Sequence, residues 1–291
     1  MAQSALLKSS IAKKYWMALT GLFLCLFLAG HLAGNLQLIF GDALQFNQYA
    51  LFMTSNPAVK LLSYLTYFSI LFHAVDGILL TIQNKKARPI GYAKSNPAAN
   101  SGFASRNMAV LGTLILVFIV THMVNFWAKM HFDKKMPVYA TTVEMMGQKQ
   151  DLYVTTSGTY IPVTQVAKDS KEAEEIGAQL YIDHGKDFYN TQAKIKVGEG
   201  YKDLHKITFD FFKSKAKLFG AIPNEGLVFT ILYVLCMGVL AFHLWHGFQS
   251  AFQSLGINNK FTPAIKTFGK LFAVIVPILF AIIPLYIHFV K

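Results

Sequence analysis

The chain has 291 residues, of which 54% are hydrophobic and only 14% are charged, and its formal net charge is +12. Soluble domains carry about 25% charged residues, so this composition excludes a disordered chain and disfavours an ordinary soluble domain. The two cysteines, Cys25 and Cys236, each lie inside a long apolar run, which disfavours a disulfide framework and a Cys-x-x-Cys metal site.

Five stretches are apolar over the length of about 20 residues that a membrane-spanning helix needs. The first is too long for a signal peptide, and no small-residue cleavage site follows it. The sequence therefore predicts an all-α membrane protein with five transmembrane helices. Residues 1–128 hold helices one to three, 129–225 form a long outer insertion of mixed structure, and 226–291 hold helices four and five. The predicted spans are Tyr15–Ile39, Ala58–Ile82, Met108–Ala128, Gly226–Ser254 and Phe268–Val290.

Basic residues in the short loops set the orientation of a membrane protein. One side of the five spans carries eleven of them, whereas the other side has only Lys60 and Lys291 outside the insertion. We therefore expect a bacterial inner-membrane protein with a cytoplasmic N-terminus and a periplasmic C-terminus. The basic residues flank spans and form no separate basic domain, so no nucleic-acid partner is expected. The eleven are Lys8, Lys13, Lys14, Lys85, Lys86, Arg88, Lys94, Arg106, Lys260, Lys266 and Lys270.

The insertion contains 13 of the 15 acidic residues and is nearly neutral. Alternating apolar residues and turn signals over Asp151–Val163 predict strands. Ser170–Leu180 predicts a short helix capped by Ser170, with Glu172 and the next glutamates near its positive end. The spacing of apolar residues over Tyr201–Phe219 predicts an amphipathic helix lying in the membrane interface.

Five histidines lie at depth in the predicted spans, where ionisable side chains are costly and tend to be functional. Counting 1.5 Å per residue from the span ends places His31 and His122 about 23–24 Å from the inner side, and His73 and His243 about 16 Å from it. The four side chains thus form two level pairs, each drawn from two different helices. Two imidazoles at one depth can supply both axial ligands of a haem iron, whereas zinc or copper would need three or four ligands.

Local sequence favours haem at the inner pair. His73 and His243 each begin an H-x-x-x-G motif, and the glycine leaves a side-chain-free patch one turn from the ligand. No Cys-x-x-Cys-His motif is present, so the haems are expected to be b-type and held without covalent bonds. The sequence therefore predicts two haem b groups.

These motifs resemble the cytochrome b membrane subunit of succinate:quinone oxidoreductases, in the five-helix, two-haem class and its Bacteroidetes-type form. The resemblance covers all five spans. It implies haem ligands at His31, His73, His122 and His243 and two cytoplasmic partners, a FAD-bearing subunit and an iron–sulfur subunit. The motifs that carry it are HLAGN (31–35), HAVDG (73–77) with NKKARP (84–89), HMVNFW (122–127) and HLWHGFQSAFQSLG (243–256).

The resemblance implies a subunit of an enzyme that holds no dicarboxylate site itself and passes electrons from the iron–sulfur subunit through both haems to menaquinone or another membrane quinone. Fumarate reduction by the same route is an alternative. The resemblance implies that fumarate-reducing members carry extra glutamates in their spans as a proton route. Here the spans contain no glutamate except Glu225 at the very start of the fourth, which disfavours this alternative. A di-haem subunit of another quinone-linked dehydrogenase and a non-redox haem carrier are further alternatives. Whether the complex forms a homo-oligomer stays open, as does the role of the insertion, which compact family members lack.

Further candidate residues surround these pairs. Arg106, Lys14 and His246 are candidate partners of the inner haem's propionates. Asp76, one turn from His73, is expected to have a structural role. Asn35, Gln37 and Asn125 near the outer pair are the preferred candidates for hydrogen bonds to the quinone. An inner quinone site at Trp16, Asp76 and His246 is the alternative.

Overall fold

The structure, a computed structural model, describes residues 10–87, 89–90, 96, 99, 101–145, 147–214 and 223–291. It is mostly helical, and five of its helices are long and apolar enough to cross a membrane, as predicted, although their bounds differ from those of the predicted spans. Lys8, Arg88, Lys94 and Leu218 lie outside the described residues. The five long helices run over Ile11–Phe40, Pro57–Lys86, Met108–Phe132, Glu225–Ser254 and Thr262–Phe289.

The helices are numbered in chain order. They are α1 (Ser10–Asn35), α2 (Gln37–Phe40), α3 (Ala43–Ser55), α4 (Pro57–Lys86), α5 (Phe103–Arg106), α6 (Met108–His122), a π-helix (Met123–Ala128), α7 (Lys129–Phe132), α8 (Ser170–Ile176), α9 (Leu204–Lys213), α10 (Glu225–Ser254) and α11 (Thr262–Phe289).

The chain folds into two compact units, which we call the bundle unit and the insertion unit. The bundle unit comprises the chain up to Leu36, Pro57–Val120 and Lys215–Lys291, and the insertion unit comprises Gln37–Asn56 and Thr121–Ser214. The insertion unit is therefore built from two separate stretches of chain. Its first stretch contains α3, which hydropathy did not predict.

The bundle unit is held together chiefly by α10 against α11 and by α1 against α4 and α10. Its core contains Met237, Leu244 and Ala273, and Ala273 is fully buried. Many large apolar side chains instead point outwards, among them Leu26 and Leu235, which are 70% and 61% exposed. An apolar outer surface of this kind suits contact with lipid and would be unfavourable in water.

The insertion unit contains two small β-sheets, so the fold is not all-α, and the mixed structure predicted for this segment is confirmed. The first sheet is antiparallel in the order β1-β2-β3, and the second has the order β4-β5-β6-β7 with only β4 and β5 parallel. The strands are β1 (Ala140–Met145), β2 (Gln148–Val154), β3 (Tyr160–Pro162), β4 (Val166–Ala167), β5 (Leu180–Asp183), β6 (Asp187–Asn190) and β7 (Lys196–Glu199).

The predicted helix at Ser170 is present, but its bounds and cap differ from the expectation. The helix α8 ends at Ile176, and Asp169 is its N-cap, since its carboxylate accepts hydrogen bonds from the backbone N–H groups of Lys171 and Glu172. Aspartate is a stronger acceptor than the serine hydroxyl, and it also complements the positive end of the helix. Gly177, with φ of 67°, then ends the helix in the left-handed conformation.

The predicted amphipathic helix is observed as α9, which ends at Lys213. Its apolar face includes Phe212, which is 3% exposed, and Phe211, whose ring centre lies 5.2 Å from that of Phe126 in the π-helix. Protein side chains thus cover part of the face that was expected to meet lipid. Contact of this helix with the membrane interface stays a prediction.

A buried polar contact joins α3 to the start of α9 within the insertion unit. Asn47 is 1% exposed, and its amide Nδ2 donates to Asp203 Oδ1 at 2.8 Å. Its Oδ1 accepts from the backbone N–H of His205 at 3.0 Å. Asp203 also caps α9 by accepting from the backbone N–H of Lys206. The buried amide thus uses both its donor and its acceptor, and it ties the two stretches of the unit together.

Candidate functional site

His73 of α4 and His243 of α10 lie close together inside the bundle unit. Their ring centres are 6.2 Å apart, and the ring planes are inclined by 71°. Two imidazoles on opposite sides of one metal have ring centres roughly 6 Å apart, since each metal–nitrogen bond is about 2 Å and the ring centre lies about 1 Å further. The structure thus brings together the two side chains that depth counting pairs, at a spacing that suits a shared metal.

Hydrogen bonds orient the ring of His73. Its Nδ1 lies 3.1 Å from the carbonyl oxygen of Met17 and 3.3 Å from Oγ1 of Thr20. The Thr20 hydroxyl donates to the carbonyl of Trp16 at 2.7 Å, so its oxygen acts as an acceptor towards His73. Both neighbours of Nδ1 therefore accept, and Nδ1 carries the proton. The lone pair is then on Nε2, the usual arrangement of a metal-binding histidine.

His243 has a different environment. Its Nδ1 is buried and has no hydrogen-bond partner among the residues that the structure describes. A buried polar atom without a partner is uncommon and costly, and it is often found where a ligand or ion completes the site. The ring of His243 can therefore turn towards a ligand without losing a hydrogen bond.

Glycines surround the histidine pair. A Cβ atom on Gly21 would lie 3.0 Å from Cε1 of His73, and one on Gly112 would lie 3.7 Å from Cε1 of His243. Around Gly77, one turn after His73, no described atom beyond its chain neighbours and the adjacent backbone of its own helix lies within 4 Å of the Cβ position. At Gly247 the nearest such atom is Cε of Met108 at 3.9 Å. The H-x-x-x-G motif at Gly77 thus borders open space, while Gly247 is covered only by the flexible end of the Met108 side chain, and the residues present fit a haem.

The structure does not test the pairing of the other two histidines, His31 and His122. His31 lies on α1, its ring stacked on that of Phe27 at 5.2 Å and 5.7 Å from that of Phe280. His122 ends α6, and the π-helix begins at the next residue. His31 belongs to the bundle unit and His122 to the insertion unit, so their pairing stays a prediction.

The predicted propionate and inner-site residues have local partners or exposed positions. His246 is half-buried, with Nε2 3.1 Å from Oγ of Ser250. Arg106 is exposed and donates to the backbone carbonyl of Ser101. Asp76 interacts electrostatically with Lys13 and with His73. On α1, the predicted residues Lys14 and Trp16 are both exposed.

The three predicted outer quinone residues are not brought together in one unit. Asn35 lies in the bundle unit, and its Nδ2 donates to the carbonyl of His31 at 2.8 Å, so its amide already has a partner. Gln37 opens α2 and Asn125 lies within the π-helix, both in the insertion unit. A quinone site formed by these three stays a prediction.

Comparisons with protein-family models, with curated proteins and with solved structures find no match. Within the described ranges no group of three or more His, Cys, Asp or Glu side chains could hold a metal ion. The two-imidazole arrangement of His73 and His243 is therefore the observation on which a functional proposal can rest.

Sequence reasoning found the histidines but not the residues that support them. Met17 acts through its backbone carbonyl, which any residue could supply. Gly21 and Gly112 lie in apolar helices, where a small residue gives no sign of which neighbour it faces. His73 could be singled out from the sequence because an ionisable side chain is rare in an apolar helix, whereas a glycine there is not unusual.

Proposed function

We propose that this chain is the di-haem cytochrome b membrane anchor of a succinate:quinone oxidoreductase, seated in a bacterial inner membrane with its N-terminus in the cytoplasm. The observation that carries the proposal is the distance of 6.2 Å between the ring centres of His73 and His243. His31 and His122 would hold a second haem. The motif resemblance and the excess of basic residues on one side of the spans give further support.

The chain's own residues hold and orient the group at the inner site. Nε2 of His73 and a ring nitrogen of His243 would hold the haem iron, while Met17 and Thr20 fix the tautomer of His73. A haem bound there would supply one-electron transfer. The apolar helices around the site exclude water, and the glycines keep bulky side chains away from the rings.

The direct test is to replace the inner ligands and count haem. We expect the purified full-length chain to contain two haems b per polypeptide and the single variants His73→Ala and His243→Ala to contain one. The double variant should also contain one, because both side chains serve the same iron. Pyridine haemochrome assay and reduced-minus-oxidised spectra give the count.

His184→Ala provides the control, since His184 is an exposed residue of the insertion that pairs with Asp183. It should retain both haems. A wild-type chain without haem, or a double variant that loses both haems while still folded, would overturn the assignment. Co-purification of the wild type from its own host with FAD and iron–sulfur subunits that oxidise succinate tests the remainder of the proposal.

A further inference from the structure

A cavity lies in the bundle unit, on a different face of α10 from His243. Its volume is about 480 Å³, and it is formed by α5, α10 and α11. Small-molecule sites usually enclose about 300–1,000 Å³. The cavity is therefore large enough for an aromatic ring system.

The sequence of α10 shows how the cavity and the histidine pair are related. Phe242, Trp245, His246 and Gln249 line the cavity and recur at intervals of three and four residues, so they share one face. His243 is turned by about 100° from Phe242 about the helix axis. His246 lies one turn from His243, about 4.5 Å along the axis. The cavity is thus separate from the ligand pair but close to it.

The lining combines flat apolar walls with two polar groups. Phe103, Phe242 and Trp245 are 59%, 51% and 43% exposed, so the cavity opens at the outer surface of the helices. Gln249 and His246, whose Nε2 also lies 3.1 Å from Oγ of Ser250, are half-buried at the same place, and both side chains carry N–H donors. Few polar groups in an apolar, aromatic slot are typical of a site for a ring that carries carbonyl groups.

A nearby lysine indicates the depth of the cavity. The ammonium group of Lys270 lies 5.6 Å from the centre of the Trp245 ring, and Lys270 is exposed. Lysine side chains near the end of an apolar helix extend to the aqueous boundary. The cavity therefore lies close to water, from which protons can be taken, while its aromatic side faces the apolar surface of the bundle.

We infer that this cavity binds the ring of the membrane quinone, with His246 and Gln249 donating hydrogen bonds to its carbonyl oxygens. The inference rests on the proposed function for its electron source. Oxidation of succinate to fumarate releases two electrons and two protons. Reduction of the ring to the quinol consumes two electrons and adds one proton at each carbonyl oxygen. This location differs from the predicted outer site at Asn35, Gln37 and Asn125, and it shares only His246 with the predicted inner site.

Photolabelling with an azido-quinone bearing a short isoprenoid tail tests the inference on the full-length chain in lipid nanodiscs. We expect mass spectrometry to find the label in peptides containing residues 103–106 and 242–249, and excess unmodified quinone to suppress it. Gln249→Leu should lower labelling about tenfold, because the ring loses a hydrogen bond in an apolar site. Ala241→Phe, which narrows the cavity and keeps both polar groups, should lower it similarly.

The matched control is Gln253→Leu, the same change one turn further along α10 at an exposed position outside the cavity. It should label like the wild type. Label confined to peptides around residues 31–37 or 122–125, label that quinone does not displace, or full labelling of both cavity variants would overturn the inference.

Haem content measured on the same samples keeps the two proposals apart. A chain that contains haem but shows no competed label in the cavity contradicts the quinone site and leaves the proposed function standing. A chain that is labelled in the cavity but holds no haem contradicts the proposed function and supports the quinone site.

Discussion

Gly21 lies so close to the His73 ring that it limits what residue can occupy its position. A Cβ there would be 3.0 Å from Cε1 of His73, nearer than ordinary van der Waals contact. A larger side chain must push the ring away from the Met17 carbonyl and so disturb the orientation of Nε2.

We therefore expect Gly21→Val to lose the haem held by His73 and His243 while it keeps the other. The haem-to-protein ratio of the purified variant measures this loss. Leu19→Ala, at a position on the same helix that is 52% exposed, is the control and should bind two haems. Full haem content in Gly21→Val would show that the ring has room to move.

Glu199 is the centre of a charge cluster in the insertion unit. Burial disfavours its ionised form, but hydrogen bonds from Lys186 and Lys196 outweigh burial and lower its pKa below the ordinary value. Lys196 also pairs with Asp187 at 2.6 Å, and mainly through that contact its pKa is raised. These ion pairs join β6 to β7.

Because the pKa of Glu199 is lowered, its contribution to the stability of the folded state depends on pH. The stabilisation by Glu199 is present above the ordinary glutamate pKa and is lost as the pH falls through the lower pKa of the folded state. We expect the amides of residues 187–199 to be less protected from hydrogen exchange in Glu199→Gln than in the wild type at pH 7. In acid this difference should disappear. Hydrogen exchange of the amides of 187–199, corrected for its intrinsic pH dependence, measures this difference. Glu174→Gln, whose ion pair with Lys194 is long and exposed, should match the wild type at every pH.

At the scale of the helices, the packing between α10 and α11 is tight at a glycine. A Cβ on Gly269 would lie 2.5 Å from Cδ1 of Phe248, and Phe248 is 8% exposed. The ring of Phe248 therefore occupies the space that any side chain at 269 would need. Replacing this glycine forces the two helices apart or the ring out of its place.

We expect Gly269→Ala to lower the resistance of the detergent-solubilised chain to thermal unfolding, at a cost of about 1–3 kcal/mol. Gly238→Ala on α10 is the matched change, because no described atom beyond its chain neighbours and the adjacent backbone of its own helix lies within 4 Å of its Cβ position. It should be neutral or stabilising, since alanine favours a helix over glycine by about 1 kcal/mol. Equal loss in both variants would mean that helix–helix contact is not the cause.

Helices were easier to predict than strands for a physical reason. Hydropathy over about 20 residues identifies a long apolar helix regardless of its neighbours, so all five such helices were predicted. The fifth helix begins at Thr262, before the predicted span at Phe268, because a helix can continue past its apolar segment through a residue such as Lys266. The short strands depend on distant partners, as in the parallel pairing of β4 with β5, which no local pattern encodes.

The candidate site was also predictable only where local sequence decides the structure. Depth counting could pair His73 with His243 because helix rise is constant and both counts start at a span end. It could not show the π-helix after His122, since six residues from Met123 to Ala128 depart from the 3.6-residue period. Nor could it show the cavity beside Trp245, which needs α5 and α11 as well as α10.

At the scale of the whole molecule, the basic loops predict on which side each segment lies. With an odd number of spans, residue 260 is expected on the cytoplasmic side and the insertion on the other. Lys171→Cys and Lys260→Cys place a single added thiol at exposed positions on the two predicted sides.

We expect a membrane-impermeant maleimide to label Lys171→Cys in intact spheroplasts and Lys260→Cys only in inverted membrane vesicles. The native Cys25 and Cys236 lie half-buried in spans, and the unmodified chain, which serves as the background control, should label weakly. The reverse pattern would invert the orientation, and labelling of both variants from one side would contradict five crossings.

The contact between Asn47 and Asp203 has a consequence for how the protein is made. The two residues are 156 positions apart, and α4 and α6 lie between them. At about 5–20 residues per second, the ribosome needs roughly 8–30 seconds to reach Asp203 after Asn47 has been synthesised. During that interval α3 exists without the partner that buries its amide. The insertion unit can thus be completed only after the first three long apolar helices have been synthesised, and a nascent chain arrested before residue 203 should leave α3 open to protease.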